Sequence, residues 1–433
     1  MPPYSTLRHA DFRRLWLAQL VSLAGSQMQA AAIDWHIYLL TRSPLALGAV
    51  GLTRMVPILV FSLWGGVVAD RHDRRRIMIA TQGAMLLAAA ALATLTAAGK
   101  EGLAVLYALT AMSAAASAFD APARQSLIPK LVPREELSGA LAMNLTMFHA
   151  GVIAGPAIAG LLIAGTEAVL PSGAGAAGGG TRNLALLYAL NAVSFLGTIA
   201  ALATMKTSGR PDGNGAAELP TLHALREGLR FVFGTPIMVW TMAVDFVATF
   251  FSAATSLLPI FADQILHAGP VGYGWLRAAP GLGALVASLG TSLKALPKRQ
   301  GPVFLWAVAA FGAATIVFGL SRDYALTFVA LFATGFADLI STVVRQTLRQ
   351  LITPDALRGR MTSVNMIFFL GGPQLGELES GVVASLFATA AFGAAFAVVS
   401  GGVVTLLVVA WVAWRAPALR RYAVDDPAPG ADP

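Results

Sequence analysis

The sequence predicts an all-α polytopic membrane protein, with twelve transmembrane helices in two pseudo-symmetric six-helix bundles. Three observations carry this reading. Hydrophobic residues make up 56% of the chain and charged residues only 12%, against about 25% charged in soluble domains. Apolar stretches recur from residue 15 to residue 414. The second half of the chain also echoes the first at a nearly constant offset.

The apolar segments fall at 15–39, 46–69, 77–98, 102–122, 139–164 and 183–205, then at 236–262, 272–293, 302–320, 325–344, 362–388 and 392–414. Each is close to the ~20 residues a helix needs to cross ~30 Å of hydrocarbon. They are continuously apolar instead of alternating, which favours helices over barrel strands. Ala and Gly are frequent within them and let helices approach closely. Pro57, Pro156, Pro259 and Pro280 mark expected bends.

Basic residues set the expected topology. With the N-terminus inside, 24 of the 30 Lys and Arg fall in cytoplasmic segments, as the positive-inside rule requires. Arg42, Lys100, Arg182 and Arg322 fall outside, while Arg54 and Arg277 lie within spans. Both termini are therefore expected in the cytoplasm, with the start of the chain read as a retained tail. The domain reading is a six-helix half over 1–205, a linker over 206–235, a second half over 236–415 and a tail over 416–433. A Gly-rich external connector occupies 165–182. In the linker, LHALREGLRFVF reads either as an interfacial amphipathic helix or as the start of the seventh span.

The duplication is visible residue by residue. RQSLIPKLVPREELSGALAMN at 124–144 aligns with RQTLRQLITPDALRGRMTSVN at 345–365 at an offset of 221. GLTRMVP at 51–57 aligns with GWLRAAP at 274–280 at an offset of 223, which places Arg54 opposite Arg277. Six spans per copy give both copies the same orientation, and a cavity between such halves suits alternating access.

Two motifs carry a specific resemblance. Gly66-Val-Val-Ala-Asp70-Arg71-His72-Asp73-Arg74-Arg75 resembles the G-x-x-x-D-R-x-G-R-R/K signature of the major facilitator superfamily, with Asp73 replacing the second glycine. Gly151-Val-Ile-Ala-Gly155-Pro156-Ala-Ile-Ala-Gly160 resembles the G-x-x-x-G-P-x-x-G-G motif in helix five of antiporting exporters, lacking only the last glycine. With FRRLWLAQLVSLAG at 12–25 and LTRSPLALG at 40–48, the chain resembles the bacterial drug:proton antiporter branch that contains macrolide-efflux-like proteins and the enterobactin exporter. The resemblance implies a major facilitator fold in the bacterial inner membrane and an exporting function. It also implies a cytoplasmic latch built from Asp70, Arg74 and the acid of helix four, matched here by Asp120. Gly66, Arg71, Arg75 and Arg124 complete that region, and Asp120 and Arg124 are spaced for an i,i+4 pair.

Ionisable groups inside spans are functional candidates by default. Asp34 lies toward the outer end of the first span and Arg54 about two turns into the second from the same side. Paired with an arginine, Asp34 stays ionised; once that partner moves away it can take up a proton. The alternative is that Asp34 and His36 sit at the wet outer rim. Asp245, Asp338 and Glu377 are further proton-coupling candidates, Glu377 preferred over Glu379 because it shares a face with Pro373 and Gly381. Trp35, Phe61 and Phe250 offer apolar contact to a substrate; Arg54 and Arg277 either offer charge to an anionic one or pair structurally with Asp34 or an acidic residue of the second half.

Other classes find little support. The sequence has no G-x-S-x-G, H-E-x-x-H or P-loop pattern, so no enzyme, metal or cofactor is expected. The charge of +8 is scattered in short clusters without a nucleic-acid face, which points to lipid headgroups. The expected function is proton-coupled export of an amphipathic small molecule by a monomer, with an importer or facilitator of a lipophilic metabolite, or a receptor or channel, as alternatives.

Overall fold

The computed structural model describes residues 3–169, 181, 183–210, 229–252, 255–294, 296–354 and 358–423. Long apolar runs bounded by Pro, Gly and capping residues become helices throughout. They are α1 (Ala10–Thr41), α2 (Pro44–Arg71), α3 (Arg74–Ala97), α4 (Leu103–Leu127), α5 (Leu137–Val169) and α6 (Leu184–Thr204), followed by α7 (Pro236–Phe251), α8 (Gly269–Leu293), α9 (Gln300–Leu320), α10 (Tyr324–Ile352), α11 (Arg358–Ser385) and α12 (Ala390–Arg415). Asp323 and Thr389 cap α10 and α12 by accepting hydrogen bonds from Leu326 N and Phe392 N. Pro57, Pro156 and Pro280 lie inside their helices. Pro259 instead lies in short helical turns after α7 ends at Phe251, within Leu258–Ile260. The expected interfacial helix falls largely in 211–228, and most of the Gly-rich connector in 170–180, both outside the described residues.

The chain divides into two compact units. The first gathers Met1–Arg42, Leu52–Leu219 and Gly269–Ala278; the second gathers Ser43–Gly51, Pro220–Ala268 and Ala279–Pro433. Within the first unit α1 packs on α5 and α6, and α3 packs on α4 and α6. Within the second, α7 packs on α11 and α12, and α9 packs on α10 and α12. These are the same four pairings, shifted by six helices. The sequence duplication is therefore also a duplication of packing.

Large apolar side chains such as Trp64, Leu293, Trp306, Leu407 and Trp414 are exposed on helix surfaces. A soluble protein seldom shows so much exposed apolar surface, whereas lipid demands it. The chain is an all-α polytopic membrane protein. Among the described residues, nine helical segments are long and apolar enough to span a bilayer: α2 to α6, α9, α10, α12 and the run Pro236–Ile265 that begins with α7. Among the described residues the expectation of twelve is not reached on apolarity, because polar and small residues lower the hydropathy of α1, α8 and α11. Asp34 and three glutamines sit on α1, Arg277 and six glycines on α8, and Gln374, Glu377 and Glu379 on α11.

The short joint between α2 and α3 shows why the family signature tolerates Asp73. Its side chain caps α3, Oδ1 accepting from Arg75 N at 3.0 Å. At the start of α1, Asp11 accepts from Lys206 N at 3.0 Å, Thr207 N at 2.9 Å and Thr207 Oγ1 at 2.7 Å. Burial disfavours the Asp11 charge, but the Thr207 and Lys206 hydrogen bonds outweigh it and hold the carboxyl below its ordinary range. This tie is complete above the ordinary carboxylate range and weakens as pH falls through the lowered value. For Asp73, replacement by Ala is expected to cost about 1 kcal/mol and replacement by Gly only a few tenths. Unfolding of the purified variants in mixed micelles checks this order; equal losses would remove the capping role.

Candidate functional site

Asp34 is 2% exposed and His36 is fully buried, so neither sits at a wet rim. A buried carboxylate needs positive charge or hydrogen-bond donors to satisfy it, and two arginines supply both. Arg54 Nη2 donates to Asp34 Oδ1 at 3.1 Å, and Arg277 Nη1 pairs with Asp34 Oδ2. These are the arginines placed opposite each other by the repeat, and all three residues belong to the first unit. Tyr273 braces the arrangement. Its hydroxyl donates to Ala31 O at 3.1 Å and accepts from Arg277 Nη1 at 3.2 Å. Trp35 is buried among aromatic rings, 5.2 Å from Tyr273 and 5.7 Å from Tyr38, which makes it part of the packing around Asp34. His36 Nδ1 lies 3.0 Å from the Tyr188 hydroxyl. Sequence reasoning missed both tyrosines, since nothing in the spacing aims a phenol at a residue more than 150 positions away.

A second charged group lies within the second unit. Arg345 on α10 pairs with Asp245 on α7 and donates to Thr342 Oγ1 at 2.9 Å. Asp338 Oδ1 stands farther from Arg345, at 4.0 Å. Arg124, the repeat equivalent of Arg345, crosses to the corresponding first helix of its own copy, reaching Gln19 Oε1 on α1 at 3.4 Å. A cavity of about 230 Å³ is lined by Thr249, Thr315, Phe318, Thr334, Asp338, Pro373 and neighbouring residues. Glu377 accepts from Thr255 Oγ1 at 3.4 Å. Phe250 stacks on Phe246 and meets Phe251 edge-on, while Phe61 is exposed on α2 beside Phe119.

The transmembrane secretion effector family matches residues 1–427. The chain belongs to this family. It is a transporter of the major facilitator superfamily, not an enzyme. The enterobactin exporter EntS of Escherichia coli O1:K1 / APEC is 26% identical over 403 residues, covering 92% of each chain. EntS of Shigella boydii serotype 18 matches equally. Among solved structures, an inward-facing, occupied bacterial homologue of the human lysosomal transporter Spinster gives a TM-score of 0.74 at 14% identity, covering 98% of this chain and 99% of that one. An inward-facing bacterial homologue of the iron transporter ferroportin gives 0.64 at 16% identity, covering 92% and 98%. At such identities these two structures speak to the fold alone.

In this transporter the residues expected to form a latch are distributed over several contacts. Asp120 Oδ1 accepts from Thr81 Oγ1 and Gln82 Nε2, each at 3.0 Å, and forms no ion pair with Arg124. The i,i+4 pair is absent because two neutral donors on α3 occupy the carboxylate and Arg124 turns to α1. Arg74 donates to Ala69 O at 3.3 Å and Ser126 O at 3.2 Å. Arg75 donates to Met205 O at 2.8 Å and Ala203 O at 2.6 Å, and Arg71 is exposed. The side chain of Asp70 lies outside the described residues.

The glycines of α5 act by close approach. A Cβ on Gly151 would lie 2.8 Å from Leu23 Cγ, and one on Gly155 would lie 2.5 Å from Gln27 Cβ and 2.7 Å from Ala24 O, both on α1. One on Gly160 would lie 2.5 Å from Pro270 O and 3.1 Å from Gly274 Cα. Gly66 has open space where a Cβ would stand. Gly155→Ala is therefore expected to destabilise the transporter by ~1–3 kcal/mol through overpacking, while Gly66→Ala leaves folding unchanged. Thermal unfolding of the two purified variants measures the contrast, and equal stability would contradict the packing role of α5.

Proposed function

We propose that the chain is a secondary active exporter of amphipathic organic compounds, drug-like molecules or siderophores, working by proton-coupled antiport through alternating access. The observation that carries this reading is Asp34: a buried carboxylate on a spanning helix, held by one arginine from each copy of the repeat. Separating those arginines during the transport cycle exposes the carboxylate to a proton, and rejoining them expels it. Asp245, Asp338 and Glu377 are secondary candidates for the same role. Export as the direction is supported by the Gly151, Gly155, Pro156 and Gly160 motif and by the exporter named among the relatives. Asp70, Arg74 and Asp120 remain the proposed latch region.

The proposal includes twelve spans, with α1, α8 and α11 crossing the bilayer sheltered by their neighbours. It places both termini in the cytoplasm of a bacterial inner-membrane protein that functions as a monomer among lipids. The half boundaries are 1–205 and 236–415, joined by the 206–235 linker. Because the chain has no cysteine, single cysteines report topology cleanly. A cysteine at Lys100 is expected to react with an impermeant maleimide from outside the cell, and one at Arg299 only after permeabilisation. The reverse pattern would overturn the orientation.

Coupling needs its own test. Untargeted comparison of compounds retained by cells with and without the transporter identifies a substrate, whose movement is then followed in proteoliposomes. An imposed proton gradient is expected to drive it against its own gradient, and Asp34→Asn to abolish that drive while exchange continues. Transport indifferent to the gradient removes proton coupling. Movement only toward the cytoplasm removes export.

A further inference from the structure

Resting on the transport reading above, we propose that the cavity at Asp338 binds the cationic head of an amphipathic amine, which makes lipophilic cations the preferred substrate class. The cavity lies within the second unit, walled by α7, α8, α9, α10 and α11. Asp338 sits midway along α10 with its side chain 49% exposed. Its nearest described positive charge, Arg345, is 4.0 Å away and held more closely by Asp245. This carboxylate is open to a further cation.

The rest of the lining is also suited to a cation. Thr249 donates its hydroxyl hydrogen to Asp245 O at 2.8 Å, Thr315 to Phe311 O at 2.8 Å, and Thr334 to Leu331 O at 2.6 Å. Thr255 donates to Glu377. A hydroxyl whose hydrogen is spent in this way has only lone pairs left to offer. Among the described residues the polar lining therefore accepts hydrogen bonds and supplies negative charge, an environment for an ammonium group and a poor one for a carboxylate or catecholate. Phe311, Phe318 and Leu331 give apolar and aromatic surface for alkyl substituents around the charge. At about 230 Å³ the cavity is smaller than the ~300–1,000 Å³ of drug-sized sites, so it takes the head of the molecule and not all of it.

The duplication provides an internal control. At the offset of 221 that aligns Arg124 with Arg345, the partner of Asp338 is Ser117. Ser117 donates to Ala114 O of its own helix at 2.8 Å. The α3–α4 pairing thus forms with no acid at this position, and the matching α9–α10 pairing does not need one for packing. The arginines that could have recognised an anion are engaged elsewhere, since Arg54 and Arg277 both hold Asp34.

The test is equilibrium binding of radiolabelled decyltrimethylammonium, whose charge is permanent, to the purified transporter in nanodiscs, with empty nanodiscs as the blank. Saturable binding is expected, roughly tenfold or more tighter than for the uncharged analogue with carbon in place of nitrogen. Asp338→Asn and Asp338→Ser are each expected to weaken it by roughly tenfold or more. The serine variant installs the side chain that the first copy already accommodates, and circular dichroism with size-exclusion profiles verifies folding. Equal binding by wild type and both folded variants overturns the proposal, as does a preference for decyl sulfate or the absence of saturable cation binding. None of these outcomes touches the transport reading, which fails separately if vesicles show no counterflow of any amphiphile, the cells' own retained compound included.

Discussion

A carboxylate in the apolar interior of a membrane protein must be matched by positive charge or by hydrogen-bond donors, and Asp34 imposes that demand on what surrounds it. Two guanidiniums answer, one from α2 and one from the start of α8. Holding the second requires Arg277 to be steered, which Tyr273 does through its hydroxyl while its ring packs on Trp35. It also requires the start of α8 to lie close to α5. The opposed glycines at 160 and 274 leave room for that approach. The polar cluster and the small-residue contact thus belong to one arrangement. Any larger residue at either glycine would disturb both.

The duplicated scaffold separates packing from chemistry. Both copies repeat the same helix pairings, so the shape needs no residue special to either. The charged groups differ at matched positions. Arg124 meets a neutral glutamine where Arg345 meets an aspartate, and Ser117 stands where the second copy has Asp338. Positive charge gathers about a single acid in the first unit, while acids outnumber the one arginine they share in the second. Such divergence on a common frame gives the two copies different polar environments at matched positions.

Much of the fold was legible in the sequence because lipid writes helices as unbroken apolar runs. The runs located most long helices to within about five residues, but the seventh ran on eleven residues past the end of α7 at Phe251 and the tenth stopped eight short of the end of α10 at Ile352. They overcounted the helices that are apolar enough to qualify alone, since α1, α8 and α11 trade apolarity for the polar groups that they shelter. The approach of Arg54 to Asp34 could be anticipated from depth in adjacent helices. For Arg277 the sequence left open whether it meets substrate, Asp34 or an acid of the second half, because a pairing across 243 residues leaves no local signal to choose between them, although the repeat had already marked it as the twin of Arg54. The expected Asp120–Arg124 pair failed for a related reason: i,i+4 spacing permits contact, but Thr81, Gln82 and Gln19 compete from other helices. Asp73, a departure from the family signature, proved to be a helix cap, a role that its place between two helices allowed.

The central claim is that Asp34 and Arg277 are energetically bound to one another and not merely neighbours. A double-mutant cycle tests it, using Asp34→Asn, Arg277→Gln and the combined variant, with unfolding free energies measured in mixed micelles. The account predicts that the two losses are strongly non-additive, with a coupling energy of at least ~1 kcal/mol. Losses that simply add would contradict it.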